Sequence, residues 1–150
     1  MHKTFYASGF LFHSPSQRIL LQQKQSESLV TSPWSLFEEQ HAENKLPENI
    51  LKDTLSKLLN INIKNLYKVY SYTKDYAKNY SLFYATVEKL EEFAPCNGYV
   101  FRWFSFKDVI KLKANLQTKH DIVIGQRVIN ALGRDNDVDL QKLIEQALDE

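Results

Sequence analysis

The chain has 150 residues, 43% of them hydrophobic and 25% charged, with 19 basic against 18 acidic side chains and a formal net charge of +1. That length fits one domain able to bury its own core, and the near-neutral balance gives no field favouring a nucleic acid or an anionic membrane. The single cysteine, Cys96, excludes an internal disulfide and any multi-cysteine zinc site, and its use fits a reducing cytosol.

Lys3–His13 (KTFYASGFLFH) predicts a strand, too regularly alternating for a signal peptide, and no stretch has the length of a membrane span. A cytoplasmic protein is therefore expected. Pro15-Ser16-Gln17 is the turn into a second strand, Arg18–Lys24, and the two make a hairpin. Ser26–Pro33 is a polar loop. Trp34–Phe37 predicts a brief strand followed by an acidic connection, EEQHAENK. A helix is expected from Pro47, with Ile50, Leu51, Leu55, Leu58 and Leu59 as one apolar stripe and Asn60 as its stop.

Two aromatic strands, Asn65–Tyr72 and Tyr80–Glu88, flank the polar turn TKDYAKN, and Tyr99–Ser105 is another strand after the Pro95–Gly98 turn. Phe106–Leu112 reads as a short helix and Thr118–Leu132 as an amphipathic one. Gly133-Arg134-Asp135-Asn136 is expected to interrupt it, with a last helix starting at Asp137. The order β-β-β-α-β-β-β-α-α predicts an α/β layered architecture with a mixed sheet, residues 1–134 forming the domain and 135–150 its C-terminal helical extension. No glycine falls between Gly9 and Gly98, so neither a P-loop nor a dinucleotide-binding fingerprint is present, since both need closely spaced glycines beside phosphate.

This order, with a strand–loop–helix unit after the first hairpin, resembles the Nudix superfamily. Its box, G-x5-E-x7-R-E-U-x-E-E-x-G-U with U bulky and aliphatic, aligns without gaps from Glu39 to Ile61. WSL before it and Pro47-Glu48 within it match common family features, as do GFLF, RILLQQ and VFRWFSFKDVIKL outside it. The resemblance covers roughly residues 3–132 and implies a Nudix-type α/β/α sandwich. In the family, box glutamates gather divalent cations beside a substrate pyrophosphate, and a bound water is activated for attack. Here the first glycine position is Glu39, the isolated glutamate is Lys45, and the Arg-Glu pair is Asp53-Thr54. The paired metal-binding glutamates are Lys57 and Leu58, and the late glycine is Asn60. Leu55 and Ile61 keep the aliphatic positions. Lys57 reverses a charge and Leu58 supplies no donor atom, so the box is degenerate and no metal cofactor is expected.

Two readings of the residues follow from the resemblance. Lys45 and Lys57 would hold a diphosphate directly, while Tyr70 and Tyr72, on one face of a strand, would stack a base. Against this, exposed lysines and cross-strand tyrosines are ordinary features of a solvated, half-buried sheet. In the alternative, Glu38, Glu39, His41 and Glu43, with Glu91 or Glu92 from a later loop, rebuild a site for Mg²⁺ or Mn²⁺ in a diverged hydrolase of nucleoside diphosphate derivatives. The favoured expectation is a Nudix-fold protein that has lost metal-dependent pyrophosphate hydrolysis and binds a nucleotide-type ligand or a protein. Lysines interleave the aromatics, yet the neutral balance argues against single-strand nucleic acid. Asp137–Leu148 is the expected docking element for a protein partner or a second copy.

Overall fold

The computed structural model describes residues 3–148, with side chains described as far as Gly133. Strand β1 (Thr4–His13) is the axis of a seven-stranded sheet. Along one edge it pairs in parallel with β6 (Lys78–Thr86), from Thr4↔Lys78 to Phe12↔Thr86. Along the other edge it divides. Leu11–His13 pair antiparallel with β2 (Arg18–Lys24), whereas Phe5–Gly9 pair antiparallel with β4 (Phe37–His41). β5 (Leu66–Lys74) pairs with β6, with a register shift between Lys68 and Tyr70. β2 also carries β7 (Tyr99–Ser105) and the two-residue β3 (Trp34–Ser35).

Because side chains alternate along a strand, the sheet has two buried faces. Ala7 and Leu11 of β1 join Phe83 and Ala85 of β6 under α1 (Pro47–Leu59), which contributes Leu51, Leu55 and Leu59 at four-residue spacing. Phe10 and Phe12 join Leu82 and Tyr84 on the opposite face, under α2 (Phe106–Val109) and α3 (Leu116–Leu148), which contribute Val109 and Ile122. The result is an α/β/α sandwich, as the sequence implied.

Local chemistry explains the helix ends. Pro47 stands in the first turn of α1, where a missing N–H costs nothing. Asn60 ends the helix in the left-handed conformation (φ 53°, ψ 48°), the geometry a glycine usually supplies, and the Ile61 N–H returns to the Ser56 carbonyl. Ser105 caps α2 by accepting from the Asp108 N–H at 3.1 Å.

Three expectations need correcting. The acidic connection is in part the strand β4, because Phe5–Gly9 of β1 offer Phe37–His41 a ladder of backbone partners. The helix expected over Phe106–Leu112 stops at Val109. Gly133-Arg134-Asp135-Asn136 does not break α3, which runs 33 residues, about 50 Å at 1.5 Å per residue. A glycine inside a helix costs about 1 kcal/mol relative to alanine without severing the hydrogen-bond ladder. The docking role expected for Asp137–Leu148 falls on side chains outside those described. No described helix is long and apolar enough to cross a membrane.

Close approach of β1, β6 and α1 depends on Gly9. A Cβ there would lie 2.3 Å from the Phe83 carbonyl oxygen and 2.9 Å from Leu51 Cδ2. The carbonyl cannot rotate away, so Gly9→Ala should destabilise the fold by about 1–3 kcal/mol. A urea midpoint equal to that of the parent chain would show that this contact has slack.

Candidate functional site

The residues of β1 with even numbers, together with those of β6, face α3, and at the open end of that face they are polar and aromatic. Tyr6 of β1, Tyr80 of β6 and Tyr72 of β5 lie in one register row. Their rings stack in sequence, Tyr6–Tyr80 at 4.8 Å and Tyr80–Tyr72 at 5.0 Å between centroids, and Tyr70 extends the stack at 5.2 Å from Tyr72. Parallel rings at such separations attract beyond their area of burial. The row is half-buried, open to solvent along its edge.

Asp121 of α3 closes one end. It is buried, at 3% exposure, and its carboxylate accepts from Tyr70 Oη at 2.5 Å, Gln117 Nε2 at 2.8 Å and Tyr72 Oη at 3.3 Å. Desolvation, with the Asp121 carboxylate next, pushes both the Tyr70 and Tyr72 phenols well above the ordinary tyrosine range. They therefore stay neutral donors through any physiological pH. Gln117 precedes Asp121 by one helical turn, which brings its amide to the same carboxylate.

Strand β4 borders the other end. Glu38 lies opposite Ser8 and Gln40 opposite Tyr6, so both stand on the tyrosine face. Lys78, at the start of β6, shares that face opposite Thr4. Glu38 keeps solvent contact, yet its carboxyl holds a proton more tightly than usual. Desolvation is the main cause, the like charge of Asp121 adds to it, and Lys78 opposes it.

Of the residues singled out from the sequence, Tyr70 and Tyr72 come together, in contact with each other and with Asp121. The lysines do not join them. Lys45 is exposed in the turn before α1, and Lys57 is exposed in the last turn of α1, across the sheet from the tyrosines. Glu38 and Glu39 point to opposite faces of β4, because they pair with Ser8 and Ala7. His41 lies on the α1 face, its ring tilted against Phe5 at 5.9 Å, and Glu43 is exposed in the following turn. Glu91 and Glu92 are exposed in the loop between β6 and β7. Among the described residues no three His, Cys, Asp or Glu side chains gather as a metal-binding group. The aligned metal positions fit a cation no better: Lys57 carries an ammonium group, and Leu58 packs its hydrocarbon against the core under α1.

Asp121, Tyr6 and Gln117 were not legible as site residues in the sequence. One signal was available. Asp121, Gly125 and Val128 share a helical stripe with Ile122 and Ile129, so a carboxylate stood among inward-facing positions and required buried donors.

Two measurements follow. Asp121→Ala leaves the Tyr70 and Tyr72 hydroxyls without their acceptor and should cost about 1.5–3 kcal/mol in denaturant unfolding, the range for hydrogen bonds to a charged group. For Glu38 the sign is set by its raised proton affinity in the folded state: stability is full while the group is protonated and falls as pH rises through its titration. Glu38→Gln should therefore raise the thermal midpoint at pH 7.5, with the gain disappearing near pH 4. An equal gain at both pH values would remove the carboxylate's charge as the cause.

No family model and no curated protein matches the sequence. Solved structures do match it. A MutT structure, from work on Aliivibrio salmonicida and Vibrio cholerae, superposes with a TM-score of 0.67 at 12% identity, covering 85% of this chain and 98% of that one. The Nudix domain of Shewanella oneidensis NrtR, solved with ADP-ribose, gives 0.67 at 12%, covering 86% and 90%. The C-terminal domain of mouse MUTYH, solved in complex with human PCNA, gives 0.66 at 12%, covering 86% and 91%. The chain fold is thus shared with these structures in three dimensions at low identity, and this chain has the Nudix fold.

Proposed function

We propose that this chain is a Nudix-fold binding protein for a nucleotide-type ligand, and that it does not carry out metal-dependent pyrophosphate hydrolysis. The tyrosine row is the observation that carries this reading. Its rings are held in register by three strands, and Asp121 fixes the hydroxyls of Tyr70 and Tyr72. Among the described residues no aromatic ring stacks on the outer face of Tyr6, so a planar base extends the stack there. Glu38 and Gln40 stand beside that position with an acceptor carboxyl and an amide for the N–H donors of the base, and Lys78 offers an ammonium to a phosphate.

The loss of hydrolysis rests on the α1 positions. A hard dication needs carboxylate oxygens, whereas an ammonium and an alkyl group stand at Lys57 and Leu58. The ADP-ribose-bound NrtR domain lends the reading support by analogy of fold only.

A panel of nucleoside diphosphate derivatives, ADP-ribose included, tests both halves with Mg²⁺, with Mn²⁺ and with chelator. Expected are thermal stabilisation indifferent to metal and no turnover. Tyr6→Ala should weaken binding about tenfold or more, the usual worth of one base–aromatic stack. Lys57→Glu assigns the phosphate: lost affinity would move it to α1, and unchanged affinity leaves it on the tyrosine face. Metal-dependent turnover abolished by Glu38→Gln or Glu39→Gln would overturn the proposal in favour of a diverged hydrolase.

A further inference from the structure

Three short segments meet where α2 hands over to α3, and each carries aliphatic side chains that the core does not take. Ile110 follows α2 and is 70% exposed, and Leu116 opens α3 at 86%. Leu29 and Val30, at 106% and 69%, lie in the loop between β2 and β3. Hydrogen bonds bring these segments together. Lys119 Nζ donates to the Ile110 carbonyl at 2.9 Å, which ties the start of α3 to the end of α2. Lys113 Nζ donates to the Thr31 carbonyl, next to Val30, and the Trp34 N–H donates to the Lys113 carbonyl at 2.8 Å. Trp34 and Ala114 form a parallel bridge, so the residues leading into each run in the same direction.

The charge around these side chains is one-sided. Ser105–His120 carries Lys107, Lys111, Lys113 and Lys119 against one acid, Asp108, a net +3 in a chain whose total is +1. Lys107 and Lys111 are exposed. The Arg102 guanidinium lies over the Trp34 ring at 5.6 Å, and the loop that leads into Trp34 contributes a single acid, Glu27. An exposed aliphatic side chain by itself is ordinary on a protein surface. Here four stand among cations.

We propose that this corner of the molecule docks on an anionic lipid membrane, with Leu29, Val30, Ile110 and Leu116 entering the acyl boundary and the lysines meeting the headgroup phosphates. Two observations select this occupant. The aliphatic side chains stand clear of the fold, so the protein supplies no walls to grip a partner's side chain, whereas a lipid interface closes around whatever protrudes. The lysines come from the same segments on long apolar stems, which suit a layer with hydrocarbon on one side and water on the other. A chain total of +1 is no obstacle, because the field of a charged surface falls off within a Debye length and acts on the groups nearest to it. The contact is peripheral, since no described helix is long and apolar enough to cross a membrane.

Co-sedimentation of the full chain with lipid vesicles tests the assignment. Phosphatidylcholine vesicles with about one-third phosphatidylserine should bind the chain, and phosphatidylcholine alone should leave it in solution. Raising salt from about 0.05 M to about 0.5 M should weaken binding as the screening length shortens. Lys107→Gln with Lys111→Gln should lower affinity about tenfold or more, given roughly fivefold for each lysine near the surface. Lys68→Gln with Lys74→Gln, the same charge change at exposed positions of β5, should leave it unaltered. Ile110→Ser with Leu116→Ser should also cost about tenfold or more, through lost apolar burial. Failure to bind the mixed vesicles, equal binding to both kinds, an equal loss in the β5 variant, or indifference to the serine substitutions would each overturn the membrane assignment. A chain that ignores vesicles and sediments as a dimer, dissociated by the serine substitutions, would give the face to a second copy instead. The lipid and salt dependence of the unaltered chain decides the matter if a variant does not fold.

Discussion

Everything in this molecule depends on the two edges of β1. One edge is committed over its whole paired length to β6, and the other is shared between β4 and β2. Since alternate side chains of β1 enter opposite cores, a slip of one residue in either pairing would exchange the contents of both layers. Gly9 sits where β1, β6 and α1 approach most closely, and Gly125 does a related service on the other face, where a Cβ would come within 2.9 Å of the Phe10 ring. These contacts set the register that aligns Tyr6, Tyr80 and Tyr72. The candidate site is a by-product of the strand pairing that also makes the cores.

Helix α1 is built by residues that serve packing and capping. Its buried leucines, its proline start and its left-handed Asn60 stop all serve the fold. A scaffold of this kind holds its loops and strands in place whether or not a metal is ever bound, so the fold is a poor guide to reaction and the side chains at the site are a better one. Here the polar groups have collected on the face opposite α1, around Asp121.

Much of the architecture was legible from hydrophobic periodicity, and the exceptions have identifiable causes. β1 and β2 alternate cleanly, and α1 has a wide stripe, so their types and limits followed from pattern. β4 carries Glu38, Glu39, Gln40 and His41 on both of its faces, which erases the period-two signal; its partner β1 specifies it. Gly133 punctuates a stretch without proline, and the helix tolerates it. Among site residues, Tyr70 and Tyr72 could be found because they are two apart on one strand. Their acceptor lies about fifty positions later on a helix, a relation that spacing along the chain cannot reveal. The two faces of β4 likewise separated Glu38 from Glu39, neighbours in sequence that point to different layers.

The stacked tyrosines also have an optical consequence. Rings only 4.8–5.2 Å apart share their electronic excitations, and transition dipoles coupled in a fixed chiral arrangement rotate light more strongly than isolated phenols do. Both tryptophans lie outside the stack, Trp34 against Phe104 and Trp103 beside His13. The near-ultraviolet circular dichroism of the tyrosine bands accordingly reports on this row together with the second stacked pair, Tyr67 and Tyr84 at 5.1 Å, and a planar molecule joining the row at Tyr6 would add its own chromophore to the coupled set. The protein carries an intrinsic spectroscopic probe in the row where we propose that a ligand binds.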